Sequence, residues 1–355
     1  MLKFKINNKI ISKNSKTYFI ADIAANHDGS LLRAKKLIKL AARSGANAAK
    51  FQHFKAETIV NKKEFDKMNK LSHQSLWKES VFEVYKKASI NNQWNQELLE
   101  ECKKNKIDLM TAPYDLDYVD QLNKFICAYK IGSGDITWKE IIEKISKKNK
   151  PVILATGASD FYEVINAVKI IKKFNKKIVL MQCNTNYTNN INNFKYINLN
   201  VLKLYKKYFK NEVILGLSDH TPEYTTVLGA IALGAKVIEK HFTDDNLRHG
   251  PDHKFSMNPK NWNKMIVESR NLENALGNGS KVIEKNEKET SLIQRRGVYA
   301  SRNLKKGEIL KRNMTICLRP KSTNSISPFE IDKFIGKTLI KNINQYEFIS
   351  KKCMI

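Results

Sequence analysis

Apolar and polar residues follow two rhythms along this chain. Apolar runs of strand length recur at 18–24 (YFIADIA), 46–52 (ANAAKFQ), 107–112, 126–131, 150–155, 177–183, 213–217 and 236–240. Between several of them the apolar spacing lengthens to that of a helix. In GSLLRAKKLIKLAARSG, Leu31, Ala34, Leu37, Ile38 and Ala41 fall on one face; Ser30 is placed to cap the start and Gly45 to stop the helix. Segments 161–172, 223–233 and 261–275 read the same way. Eight such strands with helical crossovers predict an α/β fold, a parallel sheet closed as a (β/α)8 TIM barrel over 1–275. The alternative is an open doubly wound sheet, but no Gly-rich dinucleotide turn follows the first strand.

Two segments break the rhythm. Residues 53–90 form an oversized connection with a helical pattern of their own, and loops of that length are usually functional or lids. From 276 the pattern turns into a polar connector, GNGSKVIEKNEKET, read as a linker over 276–290. Short strand-like runs and Gly turns then predict a small, mostly β module over 291–355. A core that small is marginal alone, below about 70–80 residues, so docking on another surface is expected.

Composition narrows the class without deciding it. The 355 residues are 42% hydrophobic and 28% charged, as in ordinary globular chains. No apolar run has the length of a membrane span, and no leader-like segment opens the sequence. Cys102, Cys127, Cys183, Cys317 and Cys353 are scattered and form no CxxC, which points to reduced thiols in the cytoplasm. The formal net charge of +28 raises the question of a polyanionic partner. Lysine and asparagine are spread throughout, however, without the clustered basic and aromatic residues of nucleic-acid binders, so neither nucleic acid nor membrane is expected as a partner.

Barrel enzymes carry their chemistry at the C-terminal ends of the strands. Collecting those ends gives Asp22 and Asn26; Lys50 and Gln52; Thr111, Tyr114 and Asp115; Lys130, Ser133 and Asp135; Thr156; Thr185 and Tyr187; Ser218 and His220; and Glu239 with His241. His220 and His241 end adjacent strands and read as a pair of imidazole ligands for a divalent metal, with open positions for substrate. Glu239 is placed to orient a neighbour. A lysine in line with a core strand must point into the mouth or lose solvation, so Lys50 and Lys130, with Ser133 between Gly132 and Gly134, form a candidate anion cradle. Asp252 and His253, in the loop RHGPDHKFSMNP, are candidates for contacts to substrate hydroxyls.

In combination, ADIAANHDGSLLRAKKLI, KFQHFKAET, AYKIGSGD, LATGA, GLSDHTPEY, VIEKHFTDD and GPDHKFSMNP resemble the sialic acid (nonulosonate) synthases. RRGVYASRNLKKGEIL with the following LRP and IGKTL is similar to their C-terminal antifreeze-like (SAF) domain. The resemblance spans nearly the whole chain in order. It implies condensation of phosphoenolpyruvate with an N-acylated aldose, N-acetylmannosamine or a 2,4-diacetamido sugar, releasing phosphate and giving a nine-carbon 2-keto sugar acid. It further implies that His220 and His241 bind Mn2+ or Mg2+. Lys50, Lys130, Ser133 and Thr156 would hold phosphoenolpyruvate, with Ser218 in the same SDH motif, and Gln52, Tyr187 and Asp252 would contact the sugar. Asp22 or another carboxylate of the mouth would position water. Arg319 would reach into the partner's barrel in a domain-swapped homodimer. The sequence departs from the family at Asp22 and Asp135, where relatives carry Glu, at Ala155 for Ser, and at Thr185 for Asn. These changes bear on which sugar is accepted. Two rivals are another phosphoenolpyruvate–aldose synthase making eight-carbon acids, against which the C-terminal module tells, and a non-catalytic polyanion or carbohydrate binder.

Overall fold

Each of the eight apolar runs becomes a stave of one closed barrel. In the computed structural model, which describes residues 2–68, 74–75, 77–187 and 189–355, a hairpin of β1 (Lys3–Ile6) and β2 (Lys9–Ser12) precedes the staves. These are β3 (Tyr18–Asp22), β4 (Ala48–His53), β5 (Asp108–Pro113), β6 (Tyr129–Ile131), β7 (Val152–Ala155), β8 (Ile178–Cys183), β9 (Ile214–Asp219) and β10 (Val237–His241). They pair in parallel in chain order, and β10 returns to β3 with Val237 opposite Tyr18 and His241 opposite Asp22. The helices are α1 (Leu31–Arg43), α2 (Ala56–Ile59), α3 (Lys62–Lys67), α4 (Val81–Ala88), α5 (Asn95–Lys104), α6 (Leu116–Leu122), α7 (Lys139–Ser146), α8 (Phe161–Phe174), α9 (Val201–Phe209), α10 (Thr225–Ala232), α11 (Pro259–Ala275) and α12 (Lys288–Ile293). Among the described residues none is long and apolar enough to cross a membrane.

The staves are apolar on both faces because both are covered. Outward residues such as Phe19, Phe51 and Leu154 pack in one cluster with the helices, including Ala34, Leu37, Ile38 and Ala41 of α1. The α1 start is fixed by Ser30, whose hydroxyl accepts from the Arg33 amide, and Gly45 follows its end at φ 92°. Inward residues of the lower barrel, among them Ile20, Ala48, Met110, Ile153 and Val237, form a second cluster with Phe4, Ile6 and Ile11 of the hairpin. The hairpin thus plugs the bottom of the barrel. Asp108 anchors it there, accepting from Lys9 at 2.8 Å, Asn7 at 2.9 Å and Tyr18 at 2.6 Å. The sequence reading began the sheet at residue 18 and missed this plug.

The chain divides into two compact units, Met1–Gly277 and Asn278–Ile355. The second holds a two-stranded antiparallel sheet, β11 (Gly297–Ala300) and β12 (Thr315–Leu318), extended by isolated bridges such as Leu304 to Ile343. Its own small core includes Val298, Leu310, Ile326, Leu339 and Ile349. The first three residues of α12, Lys288 to Thr290, lie inside the stretch read as linker.

Candidate active site

Along each stave, side chains alternate between the helices and the barrel axis. Moving two residues up an inward row therefore leaves the apolar plug and reaches chemistry. Ile20 gives way to Asp22, Ala48 to Lys50 and then Gln52, Ala128 to Lys130, and Val237 to Glu239 and then His241. On β9 the row runs Ile214, Gly216, Ser218 and on to His220. A Cβ at Gly216 would lie 2.7 Å from the Val237 carbonyl oxygen, so glycine there lets β9 and β10 approach closely beneath the histidines.

At the floor of the mouth two ammonium and two carboxylate groups share one buried cluster. Lys50 Nζ lies 2.8 Å from Asp22 Oδ2 and 3.1 Å from Glu239 Oε2, while Lys130 Nζ bonds Glu239 Oε1. Ser218 Oγ donates to the same Glu239 oxygen at 3.0 Å, and Gln52 donates to Asp22 Oδ2 at 3.1 Å. Burial opposes every charge here, and the partners decide the outcome. For Glu239 burial acts upward, but two ammonium groups hold the carboxyl well below the usual range. For Lys50 burial acts downward, and the two carboxylates outweigh it, raising the ammonium. Lys130 has burial and the Lys50 charge against a single carboxylate and falls below an ordinary lysine. Asp22 is raised, by burial first and then by Glu239, against the pull of Lys50. Two neighbouring carboxyls thus take different roles, one a fixed anion and one readier to accept a proton.

Above this floor the imidazoles of His220 and His241 stand with ring centroids 5.3 Å apart. His220 Nδ1 is 2.8 Å from the Asn184 carbonyl oxygen, which can only accept, so Nδ1 carries the proton and Nε2 keeps its lone pair. His241 Nε2 is 3.6 Å from Asp22 Oδ2, and its Nδ1 is buried with no hydrogen-bond partner. Both rings are depressed to about 3, by burial first, then by each other's neighbourhood: His241 acts on His220, and Lys50 acts on His241. Neutral imidazoles with unused lone pairs are the donor set a borderline divalent cation takes. Among the described residues no group of three or more His, Cys, Asp or Glu could hold a metal by itself. The two imidazoles therefore suit an ion whose other positions are open.

These groups line one cavity of about 420 Å³. Of the residues expected at the mouth, Asp22, Lys50, Gln52, Tyr114, Lys130, Ser133, Asp135, Tyr187, Ser218, His220, Glu239, His241 and Asp252 line it. Tyr187 packs edge-on against His220 with centroids 4.3 Å apart. Ser133 Oγ accepts from the Gly157 amide at 2.9 Å, which frees its own proton to donate. Burial pushes Asp135 up to about 6; Asp252 is likewise raised to about 6 by burial, although Oδ2 accepts from the Ala25 amide at 3.1 Å.

Several expected residues lie elsewhere. Thr156 is turned away from the cavity: its hydroxyl donates to the Met181 carbonyl at 2.8 Å and accepts from Tyr205 of α9 at 2.9 Å. Strand parity explains this correction, since Ile153 and Ala155 face inward and Thr156 must face the helices. Thr111 obeys the same rule, bonding His53 Nδ1 at 2.7 Å outside the barrel. Thr185 does not line the cavity; its methyl lies against Gly157, where a Cβ would come within 2.5 Å of it. Asn26 ties the loop after β10, donating to the Phe242 carbonyl at 2.9 Å and Ser256 at 2.8 Å, and Asp115 caps α6. His253 is buried between Thr243 at 2.7 Å and Asp28 at 2.9 Å and holds the loop that carries Asp252. Arg319 is exposed on the second unit, following β12.

The residue-by-residue reading missed one wall. Phe54, Ile59, Trp77, Val84, Tyr85 and Ala88 bring an apolar surface from the 53–90 segment into the cavity. Residues 69–73 and 76 of that candidate lid lie outside the described residues. The signal was present as aromatic residues interleaved in a polar stretch.

A cavity of small-molecule size, with a buried cluster of charged groups at the C-terminal ends of barrel strands, is the arrangement of an enzyme of small-molecule metabolism. Residues 37–281 match the NeuB family and residues 295–353 the SAF domain. The chain belongs to the NeuB family. It is 37% identical to the N,N'-diacetyllegionaminic acid synthase of Campylobacter jejuni over 94% of this chain and 99% of that protein. It is 31% identical to the pseudaminic acid synthase of the same species, over 93% of this chain and 94% of that one. Among solved structures it is similar to the N-acetylneuraminic acid synthetase of Leptospira borgpetersenii in complex with citrate, with a TM-score of 0.72, 28% identity, and coverage of 81% of this chain and 95% of that one. These three relatives are synthases of nonulosonic acids.

Proposed function

We propose that this enzyme joins phosphoenolpyruvate to the open-chain form of an N-acylated aldose. The methylene carbon attacks the aldehyde, water adds at C2, and the C2–O bond to phosphate breaks, giving a nine-carbon 2-keto sugar acid. The observation that carries the reading is the shared floor: Lys50 and Lys130, bridged by Glu239, lie in the same cavity as two neutral imidazoles.

Each residue then has a task. Lys50 and Lys130 bind the phosphate and carboxylate of phosphoenolpyruvate and offset charge as phosphate departs. Ser133, already an acceptor for the Gly157 amide, donates its proton to the anion. Asp22, raised and oriented by Gln52, accepts a proton from the water that adds at C2. Glu239 stays ionised and spaces the two ammonium groups. His220 and His241 would hold a divalent ion, Mn2+ or Mg2+, which supplies Lewis-acid polarisation of the acceptor carbonyl. Tyr187, Asp135 and Asp252 border the space left for the sugar.

For the acceptor, the reading favours a 2,4-diacetamido sugar over N-acetylmannosamine. The supports are the 37% identity to a diacetyllegionaminic acid synthase and the apolar wall of Phe54, Trp77, Val84 and Tyr85, which suits acyl methyl groups better than hydroxyls. The test is phosphate release from phosphoenolpyruvate with Mn2+ against a panel of N-acyl hexoses. Release only with tetrose or pentose phosphates would overturn it.

The functional state belongs to this reading as a domain-swapped homodimer in the cytoplasm, with Arg319 of one copy reaching the cavity of the other. Mixing Lys130→Ala with Arg319→Ala, each inactive alone, restores activity if the site is shared between copies; no recovery after mixing overturns the swap.

A further inference from the structure

One buried ion pair beside the cavity has no part in the chemistry above. Asp219 and Lys240 face each other on β9 and β10, each one residue before a histidine of the pair. Alternation sends His220 and His241 toward the axis and this pair outward, so neither Asp219 nor Lys240 lines the cavity. Their side chains are 0% and 2% exposed.

Lys240 Nζ donates to Asp219 Oδ2 at 2.5 Å and to the Thr221 carbonyl oxygen at 2.7 Å. The residues on both sides of His220 are therefore held by one ammonium group, which is itself the neighbour of His241. Asp219 completes the tie. It accepts from the Thr221 amide at 3.2 Å, from the Thr221 hydroxyl at 3.0 Å, and from Thr226 of α10 at 2.7 Å. Burying two charges is weak evidence for stability, because a packed apolar pair serves about as well; fixing a register is the better-attested use.

We propose that Lys240, with Asp219, is a positioning pair that sets the separation of the two imidazoles for a divalent cation. The inference rests on the metal reading of His220 and His241. It acts at one remove from the ligands, as outer partners of metal ligands do, where loss typically weakens binding about 10- to 100-fold.

The test is Mn2+ affinity of the purified protein, by titration calorimetry or the free-Mn2+ paramagnetic resonance signal, beside a thermal melt without metal. Lys240→Met alone strands a buried carboxylate and risks misfolding. The deciding variant is Asp219→Asn/Lys240→Met, in which the amide keeps its threonine partners. The expected result is a folded double variant with Mn2+ affinity about 10- to 100-fold weaker, and Lys240→Arg close to wild type. A double variant that binds Mn2+ like wild type, whatever its melting temperature, overturns the positioning role alone. A wild-type protein that binds no Mn2+ overturns the metal reading and this inference together.

Discussion

The lower and upper halves of the barrel are built from the same staves with the same period and do opposite things. Below, Ile20, Ala48, Met110, Ile153 and Val237 meet the hairpin and exclude water. One inward step higher, Asp22, Lys50, Lys130 and Glu239 hold charges at nearly the same burial. Burial is therefore not what separates scaffold from chemistry here. The upper layer tolerates charge because each of these four groups has an oppositely charged partner within reach, while His241 Nδ1 is buried with no hydrogen-bond partner.

The comparison can be broken at either end. The largest effect is expected from Glu239→Gln, which removes the anion shared by two lysines. Phosphate release should fall about 10²- to 10³-fold, read as kcat/KM for phosphoenolpyruvate, in a protein that still folds. Retained activity would mean that the floor is scaffold. Met110→Ala, in the apolar layer, should do the reverse: stability falls by roughly 2–5 kcal/mol in urea melts while kcat per folded molecule is unchanged.

Acid should act on the upper layer through its histidines. Folded His220 and His241 protonate only near pH 3, against 6.5 for an ordinary histidine, so between those values the unfolded chain binds more protons. Stability present above pH 6.5 is then lost as the pH falls, by roughly 1–2 kcal/mol per histidine at pH 5. Asp135 and Asp252 work in the opposite sense between 3.8 and about 6, since their raised carboxyls bind protons more readily when folded. Denaturation at pH 7 and pH 5 should show a steeper loss in wild type than in His220→Asn/His241→Asn; equal slopes would refute it. The smallest effect is expected from Thr156→Val. Its hydroxyl bonds only scaffold groups, so roughly 1 kcal/mol of stability should go while the KM for phosphoenolpyruvate stays put.

The alternation that explains these halves also explains what could be read in advance. Eight strands, their helices and the ring at their ends were legible because apolar runs with a fixed period leave little choice of face. The inward placement of His220, His241, Lys50 and Lys130 was legible for the same reason. Thr156 was misplaced because strand ends were collected without regard to parity, which in PVILAT points it outward. The plug was missed because KFKI and KIIS are short and lysine-rich, and their apolar positions matter only once a barrel end is present to receive them. The apolar wall from 53–90 escaped because its residues follow no strand or helix period long enough to orient them.

The barrel closes where β10 meets β3, and that seam carries Glu239, His241 and Asp22. The centre of charge is thus stitched from stretches near opposite ends of the first unit. A sheet still open along this edge would keep both imidazoles on adjacent strands but leave Lys50 and Lys130 without their shared counter-ion. Ring closure is what carries the carboxylate of the eighth stave to the lysines of the second and fourth.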